Sequence, residues 1–162
     1  MNATVWIAAS LLLGIACWTD LRKMVIPNAL TVPFALGGLA YHGIASGFEG
    51  LGYAALGAAA GMLPLLAMYA LRGIGGGDVK WFAAFGMWSG AGAAWQLVVW
   101  SVLFAGGIAV LLLVLRLPVF APIAARWAPT LQRSSSERLR GRMKFPFMLA
   151  VAPAFVVIGI YG

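Results

Sequence analysis

The sequence predicts an all-α fold: a polytopic membrane helix bundle of about six transmembrane spans, with both termini on the outer side (N-out, C-out). Three observations predict it. Of 162 residues, 63% are hydrophobic and 9% charged, and the mean hydropathy is +0.96. A soluble domain of this length needs a shell of roughly a quarter charged residues, so soluble, disordered and collagen-like classes are excluded. Apolar runs suited to ~30 Å of hydrocarbon recur along the chain, separated by short polar breaks. The basic residues fall on every second break, as topology in a membrane requires.

The elements follow in order. The first span runs from about Ala3 to Thr19 and stops at Asp20-Leu21-Arg22-Lys23. Gly14-Ile15-Ala16-Cys17 outlines a lipoprotein cleavage box, but no basic residue precedes the apolar run, so the segment reads as a retained span. After Ile26-Pro27-Asn28 a second span runs from about Ala29 to Ser46, its start marked by a proline tolerated at a first helical turn. Gly47-Phe48-Glu49-Gly50 turns the chain into a third, from about Leu51 to Leu71, which ends at Arg72-Gly73-Ile74-Gly75-Gly76-Gly77-Asp78. The long apolar stretch from Val79 is divided by Ser89-Gly90-Ala91-Gly92 into a short fourth span ending near Trp88 and a fifth from about Ala94 to Leu115. A polar stretch from Arg116 to Lys144 precedes the sixth, about Phe145 to Tyr161. Residues 1–162 therefore read as one integral-membrane domain carrying one long basic loop at about 116–144.

Charge orients this bundle. Arg22, Lys23, Arg72 and Lys80 flank the breaks after spans one and three, and the other seven basic residues lie between Arg116 and Lys144. Alternating the sides puts all eleven on one face, which becomes the cytoplasmic one. The charge of +7 is thus a topology signal, joined by attraction of the basic loop to anionic lipid or to other proteins. Nothing in the sequence interleaves aromatics with this charge as a nucleic-acid surface would, and no nucleic-acid partner is expected. A single cysteine, Cys17, excludes a disulfide framework and a multi-cysteine zinc site within this sequence.

Only four acidic residues exist: Asp20, Glu49, Asp78 and Glu137. Asp20 closes span one and Asp78 opens span four. An even number of crossings separates them, so both return to the same face at similar depth. Ionisable groups near hydrocarbon are costly and face a bundle interior or a water-filled cavity. Two carboxylates brought together there cannot both ionise easily, so one holds a proton and the pair titrates as a unit. That is the device of aspartic proteases. The alternative is that each carboxylate caps a helix or pairs with Arg22, Lys23 or Lys80, and Asp78 suits an N-cap. Gly73, Gly75, Gly76 and Gly77 before Asp78 give a loop that an extended peptide could approach, or a flexible turn. Neither the phosphate-loop nor the dinucleotide pattern is met.

Asp20-Leu21-Arg22 with Ile26-Pro27-Asn28, followed by Gly75-Gly76-Gly77-Asp78-Val79-Lys80, resembles the type IV prepilin peptidase family, membrane aspartic proteases with a Gly-x-Gly-Asp motif. The resemblance covers nearly the whole chain in span order. It implies that Asp20 and Asp78 are a catalytic dyad, that Gly75 and Gly77 form the motif loop supported by Lys80, and that neither metal nor cofactor takes part. The implied substrate is a prepilin or pseudopilin, cut at the cytoplasmic face of a bacterial inner membrane between a basic leader and the following hydrophobic helix. Pilus or secretion machinery would be a further partner. Longer family members carry a methyltransferase region with paired zinc cysteines. This sequence is similar to the short form of tight-adherence (Flp-type) systems, for which cleavage without N-methylation is expected. Lys144-Phe145-Pro146-Phe147 is similar to a Pro-aromatic-Gly element at the family's last span, with Met148 where the glycine would be.

Among the remaining residues, His42 is expected to be structural, far from the aspartates, and Cys17 a small buried apolar residue. Trp18, Trp81 and Trp88 near span ends are expected to anchor at the interface. Gly57 and Gly61 are spaced for close helix packing. Two other classes remain open at this level: a small proton- or cation-coupled transporter using the same two aspartates, and a non-enzymatic pilus or secretion assembly subunit. A transporter would show ion-dependent flux without processing, and an assembly subunit would be indifferent to either aspartate.

Overall fold

The computed structural model describes residues 2–23, 25–114 and 147–161. These residues form four helices and no strand: α1 (Ala3–Lys23), α2 (Asn28–Ala70), α3 (Gly76–Val114) and α4 (Met148–Tyr161). By length and composition α1, α2 and α3 could each cross a membrane, while α4 is a shorter apolar helix. The all-α membrane architecture is therefore present, but the helices are not cut where six separate spans would be. The expected basic loop, 116–144, lies outside the described residues, as does the Lys144-Phe145-Pro146 element.

The stretch marked in sequence as spans two and three lies within α2, and that marked as spans four and five lies within α3. Each is interrupted at a glycine inside the expected turn. Gly47 has φ 58° and ψ −134°, and Gly90 has φ 81° and ψ 172°, both in regions that L-residues rarely adopt. At Gly47 the chain folds back on itself. The rings of His42 and Tyr53 lie 4.9 Å apart, whereas eleven residues of straight helix would separate them by about 16 Å. Two other boundaries move as well. The first helix runs on past Thr19, whose hydroxyl bonds back to the carbonyls of Ile15 and Ala16, so Asp20 is a helical residue rather than the end of one. α3 begins at Gly76, inside the glycine run, and so takes Asp78 into its first turn.

The first part of α3 (residues 76–89) lies at the centre of the packing. Trp81, Phe82, Ala84 and Phe85 are fully buried, with Trp81 and Phe85 stacked at 5.7 Å between centroids. On one side it meets α2 at backbone distance: a Cβ on Gly57 would collide with the Gly86 carbonyl, one on Gly86 with the Gly57 carbonyl, and one on Gly61 with the Phe82 carbonyl. Lipid supplies little hydrophobic drive between helices, so such close approach is what helices in a membrane have to work with. On the other side Trp81 Nε1–H reaches the Leu12 carbonyl of α1 at 3.5 Å, and Phe85 packs on Phe155 of α4 at 6.1 Å. Trp81 is thus a core residue and not the interfacial anchor its sequence position indicates. Trp88 is half-buried and donates Nε1–H to the Phe34 carbonyl at 2.7 Å, while Trp18 remains exposed with the Arg22 guanidinium 4.2 Å over its ring.

The mutual glycine contact sets a prediction. Gly86→Ala should lower stability in detergent by about 1–3 kcal/mol, because backbone must move to admit the methyl group. Gly52→Ala, where an added Cβ meets nothing within 4 Å, should leave the thermal midpoint unchanged or raise it. Equal effects of the two substitutions would contradict this packing.

Candidate active site

Asp20 owes its position to the helical repeat. Val5, Ala9, Leu12 and Ala16 form the buried stripe of α1, and Asp20, 6% exposed, is its next member. The carboxylate therefore points into the bundle, not toward lipid. Its Oδ2 accepts the backbone N–H of Met148, the first residue of α4, at 3.3 Å. Asp78 is held differently. Its own N–H bonds the Gly75 carbonyl at 3.2 Å, and its Oδ2 accepts the Gly75 N–H at 3.2 Å. The second bond is the half of a capping box that runs from the third helical residue back to the N-cap N–H, so the N-cap position is held by Gly75 and not, as the sequence suggests, by Asp78. The bond uses one oxygen and leaves the other carboxylate edge for something else. Asp78 is 8% exposed.

Both carboxylates line one cavity of about 230 Å³, together with Val25, Ile26, Asn28, Gly75, Gly76, Gly77 and Lys80. Every residue singled out from sequence for the site, namely Asp20, Asp78, Gly75, Gly77 and Lys80, is in that lining. The glycines serve proximity here, since none of Gly75, Gly76 and Gly77 has a positive φ. A Cβ on Gly75 would stand 3.2 Å from Asp78 Oδ2, and one on Gly77 3.2 Å from the Ile26 side chain. Lys80 does not pair with either aspartate. Its Nζ donates to Asn28 Oδ1 at 3.0 Å, tying the start of α2 to the start of α3 at the cavity rim. Among the described residues no three His, Cys, Asp or Glu side chains cluster as metal ligands.

Two contributors escape a reading by residue type. Asn28 belongs to the quoted Ile26-Pro27-Asn28 motif, but only the fold shows it facing Lys80. Met148 contributes a backbone N–H, which no side-chain pattern signals. His42 lies at the other end of the α2–α3 pair, where its Nε2–H donates to the Trp88 carbonyl at 3.0 Å, the structural role expected of it. The space is lined by two carboxylates and by the backbone of three successive glycines. It can therefore perform acid–base chemistry on a bond threaded past the glycines.

Comparison with known proteins gives a family match over much of the chain. A family model described as the type IV leader peptidase family matches residues 7–115, which include both aspartates and the glycine loop. A prepilin leader peptidase/N-methyltransferase of Aeromonas hydrophila is 42% identical over 84 residues, covering 48% of this chain and 27% of that protein. Its counterpart in Aeromonas salmonicida strain A449 is 40% identical over 84 residues, with the same coverage. The alignment thus spans about a quarter of the length of these relatives. No solved structure matches the chain.

Two buried carboxylates facing one cavity are a burden on the fold. Asp20→Asn keeps an acceptor for the Met148 N–H, and Asp78→Asn one for Gly75, while each removes a buried ionisable group. Both variants should melt at or above the wild-type temperature in detergent. Asp20→Ala should be less stable than Asp20→Asn by about 1–3 kcal/mol, because it leaves a buried N–H unpaired. An Asp20→Asn variant that melts well below the wild type would contradict this arrangement.

Proposed function

The chain belongs to the type IV leader peptidase family, and on that premise we propose that it is an aspartic endopeptidase that removes the leader from prepilin or pseudopilin precursors. The observation that carries the aspartic mechanism is the shared cavity: Asp20 and Asp78, both buried, open onto the same space beside a glycine loop. Of two neighbouring carboxyls in a low dielectric, one is ionised and one protonated. The ionised member takes a proton from water as its oxygen attacks the scissile carbonyl carbon. The protonated member gives its proton to the carbonyl oxygen, forming a neutral tetrahedral diol. Collapse of the diol breaks the C–N bond, with a proton delivered to the leaving amine, and the dyad returns to its starting state. Two carboxyls and one water balance the reaction without a metal or cofactor.

The same proposal places the chain in the membrane. We read each glycine break as a reversal, which gives six crossings, with N and C termini outside and the dyad at the cytoplasmic face of the bacterial inner membrane. Residues 1–162 would then be one peptidase domain. A substrate that is itself a membrane helix can enter sideways between spans, and its leader junction lies at the depth of Asp20 and Asp78. Pilus or secretion machinery would present it. The proposal concerns cleavage alone, because the single cysteine of these 162 residues supplies no paired-cysteine zinc motif for N-methylation.

Co-expression with a prepilin tests it. Wild-type protein should yield a product whose N-terminus, read by sequencing, begins just after the basic leader. Asp20→Asn and Asp78→Asn should each reduce processing by roughly 10²-fold or more while remaining folded in the membrane. Processing by both single variants at the wild-type rate would reject the mechanism.

A further inference from the structure

The two aspartates differ in what holds them. The Gly75 N–H on Asp78 is three residues away in the chain, whereas the Met148 N–H on Asp20 comes from 128 residues away. Asp78 is therefore set by its own helix start, and Asp20 by the docking of another helix. That docking is antiparallel and anchored at both ends. Trp6 of α1 meets Phe155 of α4 edge-on at 5.2 Å and lies against Gly159, while at the far end Cys17 and Asp20, one helical turn apart, flank the Met148 peptide. The Met148 carbonyl is 3.8 Å from Cys17 Sγ, and its side chain is 1% exposed within the core.

The bond uses a group the helix does not need. Ala150 and Val151 both donate to the Phe147 carbonyl, at 2.9 and 3.3 Å, which makes Phe147 the N-cap of α4 and Met148 its first helical residue. The N–H at that position has no partner within its own helix. Here it is directed at Asp20. We infer that Met148 is the positioning residue for Asp20: its backbone N–H fixes the carboxylate orientation that the peptidase reaction requires. The inference rests on the peptidase reading above.

Proline separates the N–H from the rest. It is well tolerated at the first helical position because the N–H there makes no helix bond, so Met148→Pro removes the donor and leaves α4 its own hydrogen bonds. Met148→Ala removes the side-chain packing and keeps the donor. With purified protein in vesicles and a precursor peptide bearing a basic leader, Met148→Pro should lower kcat roughly tenfold or more with KM within about twofold. Met148→Ala should lose much less kcat than Met148→Pro, even if its melting temperature falls. If Met148→Pro does not fold, the ester variant made by cell-free incorporation of the α-hydroxy analogue of methionine at 148 deletes the N–H, weakens the Phe147 carbonyl as acceptor for Ala150 and Val151, keeps the side chain, and should show the same loss of kcat. Wild-type kcat in the folded proline or ester variant, or an equal loss in Met148→Ala, would overturn the inference. Asp20→Asn in the same assay separates the two levels: if it cleaves normally the peptidase reading itself falls, whereas an inactive Asp20→Asn beside a fully active donor-less variant removes only the role of Met148.

Discussion

Backbone contact between α2 and the first part of α3 is the constraint on which the other contacts depend. In lipid every backbone polar group has to be satisfied within the protein, so the segments must be helices, and helices gain little by burying apolar faces that lipid already solvates. What remains is proximity. Gly57 and Gly86 each leave room for the other's carbonyl, and Gly61 for that of Phe82. This draws residues 76–89 of α3 into the centre, where Trp81 and Phe85 can face α1 and α4 at the same time. A side chain at any of these glycines would push α3 outward and with it Asp78.

The site is assembled from helix beginnings around that central segment. The start of α2 brings Asn28, the start of α3 brings Asp78 and Lys80, and the start of α4 brings the Met148 N–H. α1 alone contributes from its C-terminal end, with Asp20. Helix starts carry unpaired N–H groups and the positive end of the helix dipole, so they suit a place where carboxylates must be accommodated away from water. Each aspartate takes one such N–H on one oxygen. The acid–base chemistry proposed for the dyad needs free carboxylate oxygens, and a single N–H on one oxygen of each aspartate leaves the other oxygen without a backbone partner.

Much of this was legible in the sequence, for identifiable reasons. Composition alone demanded a membrane bundle. The scarcity of acids, with only four in the chain, isolated Asp20 and Asp78 before any fold was known. The spacing Val5, Ala9, Leu12, Ala16, Asp20 already carried the direction of the Asp20 side chain, because a 3.6-residue repeat puts them on one stripe. The breaks at Gly47 and Gly90 were visible as glycine clusters, because a positive φ is open chiefly to glycine. Other features were out of reach. Trp81 sits near a span end in sequence and reads as an interfacial residue; only the inward pull on α3 makes it core. The partner of Lys80 could have been either aspartate by charge, and geometry selects Asn28. The Met148 N–H is backbone, and backbone donors leave no trace in residue identity.

The central claim is that Asp20 and Asp78 act as one chemical unit on a peptide bond. Residues acting as a unit are non-additive when removed: once one is gone, the other has nothing left to contribute. The most direct measurement is therefore a double-mutant cycle on cleavage rate, comparing Asp20→Asn, Asp78→Asn and the double variant on one precursor in one membrane preparation. The account predicts that each single variant loses nearly as much as the double. Losses that multiply independently, so that the double variant falls by the product of the two single effects, would contradict it.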